Sequence, residues 1–181
     1  MNIPNQVSVF RIALAIVVLA LYSMDLYLWS ALVFAIASFT DWLDGYLARK
    51  LNQTSSFGAF IDPVADKLLV AIVLVMLVAN YDTIWFVIPV CIIIAREILV
   101  SALREWMATQ GNREAVAVAF VGKVKTTVQM IAIVILLAAD PFGPAGYWMA
   151  GYGLIYIAAL LSLVSMLHYF RGAWPYLSRQ L

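Results

Sequence analysis

The chain has 181 residues, 65% of them hydrophobic and 12% charged, with a formal net charge of +1 and a mean hydropathy of +0.97, a balance too apolar for a water-soluble domain of this size. The near-neutral charge gives no electrostatic basis for binding nucleic acid. A single cysteine, Cys91, excludes an intrachain disulfide framework and a thiolate metal cluster.

A bilayer core of roughly 30 Å requires about 20 residues of apolar helix, and runs of that length recur from end to end. In chain order they predict membrane helices at 6–24, 28–51, 60–80, 83–108, 114–139 and 145–171. The first carries Arg11 inside its apolar run and has no small-residue cleavage site after it, so it is expected to be mature structure and not a signal peptide. Alternation of lipid-facing and polar residues, which a barrel would need, is absent. The expected fold is therefore all-α, a six-helix membrane bundle forming one domain over 1–181.

Asp25, Asp82 and Asp140 fall in the turns at one end, whereas Arg49, Lys50, Lys67, Arg104, Arg113, Lys123, Lys125, Arg171 and Arg179 gather near the other. By the positive-inside rule, both termini and the 50–60 and 108–114 connections are expected in the cytoplasm. Tyr22, Tyr27, Trp29, Tyr81, Trp85, Tyr147 and Trp148 read as anchors at the outer interface, and Trp42, Tyr46, Trp106, Tyr169, Trp174 and Tyr176 at the inner one.

Ionisable groups at mid-bilayer cost at least roughly 2.5 to 3.5 kcal/mol each, and aspartate is too short to reach water easily. Four aspartates nevertheless collect near the cytoplasmic end of the second and third spans: Asp41 and Asp44, three apart, and Asp62 and Asp66, four apart. Each pair shares a helix face. Converging carboxylates repel one another unless cations neutralise them, and an all-oxygen set without cysteine or histidine suits Mg²⁺ or Mn²⁺, with enough donors for two ions.

On the helical wheel Gly45, Ala48 and Arg49 share the arc of Asp41 and Asp44. The small residues leave room for a ligand to approach the backbone, and Arg49 offers a planar fork to phosphate oxygens, which together describe a pocket for a metal-bound diphosphate. Pro63 is expected in the first turn of the third helix. Singly, an intramembrane aspartate also fits a helix–helix hydrogen bond, and a Gly/Ala stripe also fits close packing. The combination Asp41-x2-Asp44-Gly45-x2-Ala48-Arg49-x8-Gly58-x3-Asp62-x3-Asp66 is far more specific, fixing eight positions over 26 residues.

This pattern resembles, at all eight positions, the defining motif of the CDP-alcohol phosphatidyltransferase family. Further runs, from Pro4 to Arg11, Arg96-Glu97, Arg104-Glu105-Trp106 and Gly122 to Thr126, are similar to bacterial members that use a glycerol phosphate acceptor. The resemblance implies a six-helix enzyme of the bacterial cytoplasmic membrane, commonly a homodimer. Such an enzyme joins the phosphatidyl group of CDP-diacylglycerol to sn-glycerol 3-phosphate and releases CMP. It further implies metal coordination by Asp41, Asp44, Asp62 and Asp66, with Asp66 also deprotonating the acceptor hydroxyl. Gly45, Ala48, Arg49 and Ser55 match positions that meet the nucleotide or its diphosphate, and Asn5, Ser8 and Arg11 lie where an amino-terminal segment closes over the same ligand. Arg11 also fits a snorkel to phospholipid headgroups, and Ser8 a bond to its own backbone.

A phosphorylated acceptor requires positive charge beyond what the nucleotide uses. Arg96 and Arg104, two turns apart on roughly one face, are the first candidates. Lys123 and Lys125 follow, but they stand about 200° apart around a helix and meet one pocket only if the helix bends or begins there. Glu97 and Glu105 each adjoin an arginine, though neighbouring helical residues point about 100° apart. Gly122-Lys123 lacks the glycine and the Ser or Thr of a phosphate loop. Cys91 and His168, with no partner at metal-ligand spacing, read as packing or interface residues. Gly146, Ala150 and Gly153 fit close packing either within the bundle or between protomers. The motif does not fix the acceptor, so inositol phosphate, serine or a phosphatidyl lipid stay open, and a divalent-cation transporter is the rival of a different class.

Overall fold

A computed structural model describes residues 3–51, 56–112, 120–141 and 143–178, with side chains described throughout these except at 3–9, 41–51, 56–63, 66 and 145. Six helices occupy the chain: α1 (Ile3–Ser23), α2 (Tyr27–Leu51), α3 (Ser56–Tyr81), α4 (Ile84–Thr109), α5 (Phe120–Ala138) and α6 (Ala145–Leu177). No strand occurs among the described residues. In α4, α5 and the Gly146–Leu177 part of α6, the described chain is long and apolar enough to cross a membrane. The described apolar stretches of the first three helices, Phe10–Ser23, Tyr27–Thr40 and Lys67–Tyr81, are shorter.

The tight turns between helices are closed by backbone hydrogen bonds that need a left-handed residue. After α1 this residue is Asp25, at φ 60°, with Leu26 N–H donating to the Leu21 carbonyl (3.0 Å) and Asp25 N–H to that of Tyr22 (3.1 Å). Gly111, at φ 72°, ends α4 in the same way through Asn112 to Met107 (2.9 Å) and Gly111 to Ala108 (3.1 Å). Asp82, at φ 34°, ends α3 with the single Asp82 to Val78 bond (3.1 Å). Aspartate tolerates this region because its short polar side chain bonds locally. Tyr27 Oη donates to Asp25 Oδ1 at 2.9 Å, a bond to a carboxylate that raises the pKa of the Tyr27 phenol.

These acidic turns lie together. Tyr81 packs on Phe86, Trp148 and Tyr152, with ring centroids 5.0, 6.4 and 6.3 Å away, and Tyr22 and Ser23 line a hollow with Asn80. Below them a main apolar core draws on all six helices, including Val18, Phe34, Leu74, Ile93, Ile133 and Ala158. A second, smaller cluster joins α4 to α6 through Val100, Leu103, Met107, Tyr169 and Ala173. Many large apolar side chains face outward instead, Ile16, Ile36, Ile98 and Leu160 each more than 60% exposed, as expected where lipid and not water is the neighbour.

Two boundaries differ from the sequence reading. Helix α3 begins at Ser56, so Pro63 stands seven residues inside it and not in its first turn. One lost backbone donor there is tolerable in a helix whose other bonds continue. Helix α6 runs on to Leu177, through Pro175, because Ala173 is fully buried and Tyr176 and Leu177 pack against the second cluster. The small-residue stripe also resolves: Gly146, Ala150 and Gly153 are exposed on the outer face. Gly151 is the glycine of close approach, since a Cβ there would stand 2.6 Å from Leu136 Cγ of α5.

Candidate active site

Between the two apolar clusters lies a polar layer. Along α4 the buried sequence passes from Ile93 to Arg96 and then to Val100, and along α6 from Ala159 through Ser162 and Ser165 to Tyr169. Charge is affordable at this depth only where it is paired.

Glu97 is the centre of the pairing. Its Oε1 accepts from Arg96 Nη1 at 3.2 Å and from Lys125 Nζ of α5. Its backbone carbonyl accepts from Ser101 Oγ at 2.6 Å, and Ser101 in turn accepts from Lys67 Nζ of α3. One residue thus links cations on three helices. Arg96 also donates through Nη2 to Ser165 Oγ at 2.7 Å, and its guanidinium lies 5.6 Å from the centroid of the Tyr169 ring, a distance at which the ring face attracts a cation.

A cleft of about 340 Å³ opens between α3, α4 and α5. Its walls are mostly aliphatic, with Lys67, Glu97, Lys125, Thr126 and Gln129 as the polar exceptions. Val64, Lys67, Leu68, Ala71 and Leu74 line it from α3. Helix α2 reaches the same level from behind α5, where Ser38 Oγ lies 3.8 Å from Met130 Sδ, one turn before Asp41.

The residues singled out from sequence are placed unevenly. Lys125 is 1% exposed and lines the cleft, whereas Lys123 is exposed on the surface of α5. The helix is regular through both, so their angular separation sends only one inward. Arg96 is 7% exposed and turned toward α6; Arg104 is half-buried, about one turn beyond Val100. Arg11 is 3% exposed, enclosed by the bundle and not extended to headgroups. Glu97 pairs directly with its neighbour Arg96, because two long side chains overcome the angle between adjacent positions. Cys91 is exposed, and so is His168; neither is a core packing residue within the chain.

Helix α2 is continuous through positions 41, 44, 45, 48 and 49, and α3 through 62 and 66. The side chains of Asp41, Asp44, Gly45, Ala48, Arg49, Asp62 and Asp66, and those of Asn5 and Ser8, lie outside the described residues, as does Ser55 altogether. Among the described side chains no group of three potential ligands could hold a metal. The donor set on the two continuous helices, four hard carboxylates without sulfur or imidazole, fits a divalent ion of the Mg²⁺ type. Lys67 and Gln129 did not emerge as site residues from sequence. Lys67 reads as one more interfacial cation, and its only signal is its place directly after Asp66.

A family model described as CDP-alcohol phosphatidyltransferase matches residues 1–166, and the chain belongs to that family. Among its relatives are three proteins named CDP-diacylglycerol--glycerol-3-phosphate 3-phosphatidyltransferase. The one from Pseudomonas fluorescens is 49% identical over 183 aligned residues, covering 98% of this chain and 92% of the relative. Those from Salmonella typhimurium (strain LT2) and Escherichia coli (strain K12) are each 47% identical, covering 95% of this chain and 94% of the relative.

Proposed function

We propose that the chain is a six-span phosphatidyltransferase of the bacterial cytoplasmic membrane that transfers the phosphatidyl group of CDP-diacylglycerol to sn-glycerol 3-phosphate and releases CMP. The relatives' names support the reaction. The structural observation that supports it is a cleft between α3, α4 and α5 with a buried lysine, Lys125, on its wall. The charge asymmetry of the sequence supports a site and both termini facing the cytoplasm, and the family resemblance supports a homodimer.

Asp41, Asp44, Asp62 and Asp66 are the residues to hold two Mg²⁺ or Mn²⁺ ions. When bound, such ions neutralise the diphosphate and the charge growing on departing CMP. Gly45, Ala48, Arg49 and Ser55 receive the cytidine diphosphate, with Asn5, Ser8 and Arg11 closing over it, while the acyl tails stay in lipid. Lys125, buried on the cleft wall, supplies counter-charge for the acceptor phosphate, with Arg96 and Arg104 of α4 as further candidates; Lys123, on the surface of α5, is set aside. Asp66 takes the proton from the acceptor hydroxyl. The freed oxygen attacks the β-phosphorus, a new P–O bond forms, and the bond to CMP breaks.

The test uses purified full-length protein with CDP-diacylglycerol, Mg²⁺ and a panel of acceptors. Metal-dependent CMP release with glycerol phosphate, and phosphatidylglycerophosphate as the lipid made, is expected. Release with serine or inositol phosphate instead, or ion uptake into liposomes without nucleotide turnover, overturns the reading. Asp66→Asn should lower turnover by at least about 10²-fold, the scale of a general base, with the protein still folded. Retained turnover removes Asp66 from that role.

A further inference from the structure

The cleft between α3, α4 and α5 is graded in polarity along the helix axes. Helices α3 and α5 end at the acidic turns of Asp82 and Asp140, and α4 begins there. Lys67, Glu97, Lys125 and Thr126 therefore stand at the end of the cleft away from those turns, and Ala71, Leu74, Ile93 and Met130 follow toward the middle of the bundle. The cleft also opens sideways. Helices α4 and α5 each pack on α6 more than on one another, and Leu68 and Ile98, which line the cleft, are 40% and 64% exposed. An apolar seam left empty forfeits dispersion contacts on both walls, and in a bilayer the material at hand to fill it is hydrocarbon.

The two lysines of the cleft differ. Lys125 is matched by Glu97. Lys67, half-buried on the α3 wall, bonds the neutral hydroxyl of Ser101. An ammonium carries three donors, and that bond takes one. A charge so placed among aliphatic walls is stabilised by an anion.

We propose that the cleft is a binding site for one anionic phospholipid of the surrounding membrane, with its phosphate on Lys67 and one acyl chain between Ala71, Leu74, Ile93 and Met130. A soluble anion satisfies the lysine and leaves the slot empty, and a neutral hydrocarbon does the reverse; only an amphiphile meets both. An anionic headgroup suits Lys67 better than a zwitterionic one, which brings its own cation beside the ammonium. The lipid uses none of the residues assigned to CDP-diacylglycerol, and Lys125, already held by Glu97, takes no part. The proposal rests on the membrane reading of the helices and not on the reaction proposed for them.

The experiment places the full-length protein in nanodiscs of phosphatidylcholine containing a trace of phosphatidylglycerol with a diazirine in mid-chain. After photolysis, peptides around Leu74, Ile93 and Met130 should carry at least about fivefold more label than those around Leu160 and Val164, exposed on α6, the worth of one lysine near an anionic headgroup. A phosphatidylcholine probe should show no such preference. Lys67→Met should bring the signal down to the α6 level, and Ala71→Phe, which fills the slot, should do the same. Excess CDP-diacylglycerol should leave the label in place. Equal labelling of the cleft and α6, which means annular lipid only, overturns the proposal. So does a preference shared by both probes, or one that survives Ala71→Phe. Displacement by CDP-diacylglycerol overturns it too, by making the cleft a path for the substrate's own chain. If Lys67→Met does not fold, Ala71→Phe decides together with Lys67→Arg, which keeps the cation and should keep the label. Turnover of the wild type in the same discs reports separately on the proposed reaction.

Discussion

Lys125 keeps a charged ammonium at 1% exposure because Glu97 stands against it. Removing one partner of such a pair leaves the other buried and unmatched, a larger loss than the net worth of the pair. Glu97→Ala should therefore lower stability by about 3 kcal/mol, read as thermal unfolding in detergent, and raise KM for the acceptor because Lys125 and Arg96 lose their common anchor. Glu97→Gln, which still accepts hydrogen bonds, should lie between; a fully stable alanine variant would deny Glu97 its place at the centre. Little of this was legible in the sequence. The spacing of Asp41, Asp44, Asp62 and Asp66 announces itself through periodicity, but the identity of the inward lysine depends on where α4 lies. Gln129 is a lone polar residue in an apolar run, and its burial beside Lys125 appears only with the cleft.

Gly151 and Leu136 show how two helices set their distance. Any Cβ at 151 meets Leu136 Cγ at 2.6 Å and Cδ2 at 2.8 Å, far inside contact distance, so Gly151→Ala forces α6 away from α5 or Leu136 off its rotamer. Overpacking of this kind costs about 1 to 3 kcal/mol. The unfolding midpoint should fall accordingly, and adding Leu136→Ala should recover part of the loss, a non-additivity that marks direct contact. If the two losses simply add, the helices do not meet here. The small-residue pattern in the sequence pointed to positions 146, 150 and 153, because spacing alone does not give the rotation of a helix whose every face is apolar. Helix identities were legible, since a run of apolar residues bounded by acidic turns is unambiguous. Ends were less so: α6 outlasts its apolar run because packing at Ala173 continues where hydropathy stops.

Across the whole molecule, the acidic turns share one end, and the two apolar clusters lie on either side of the polar layer. The proposed orientation is open to direct measurement with Met24→Cys and Gln110→Cys, each made with Cys91→Ser; both native side chains are exposed. An impermeant maleimide added to intact cells should label the first and spare the second; the opposite pattern inverts the bundle. Helix α3 must also sit at the correct height, and the Lys67–Ser101–Glu97 relay gauges it. Sliding α3 by a single residue moves it about 1.5 Å along its axis. Opposite the serine, the ammonium would then give way to a carboxylate or an aliphatic neighbour. A misassembled bundle would lose this clasp before its greasy surfaces registered any difference, so the relay works as a vernier for the helix that carries Asp62 and Asp66.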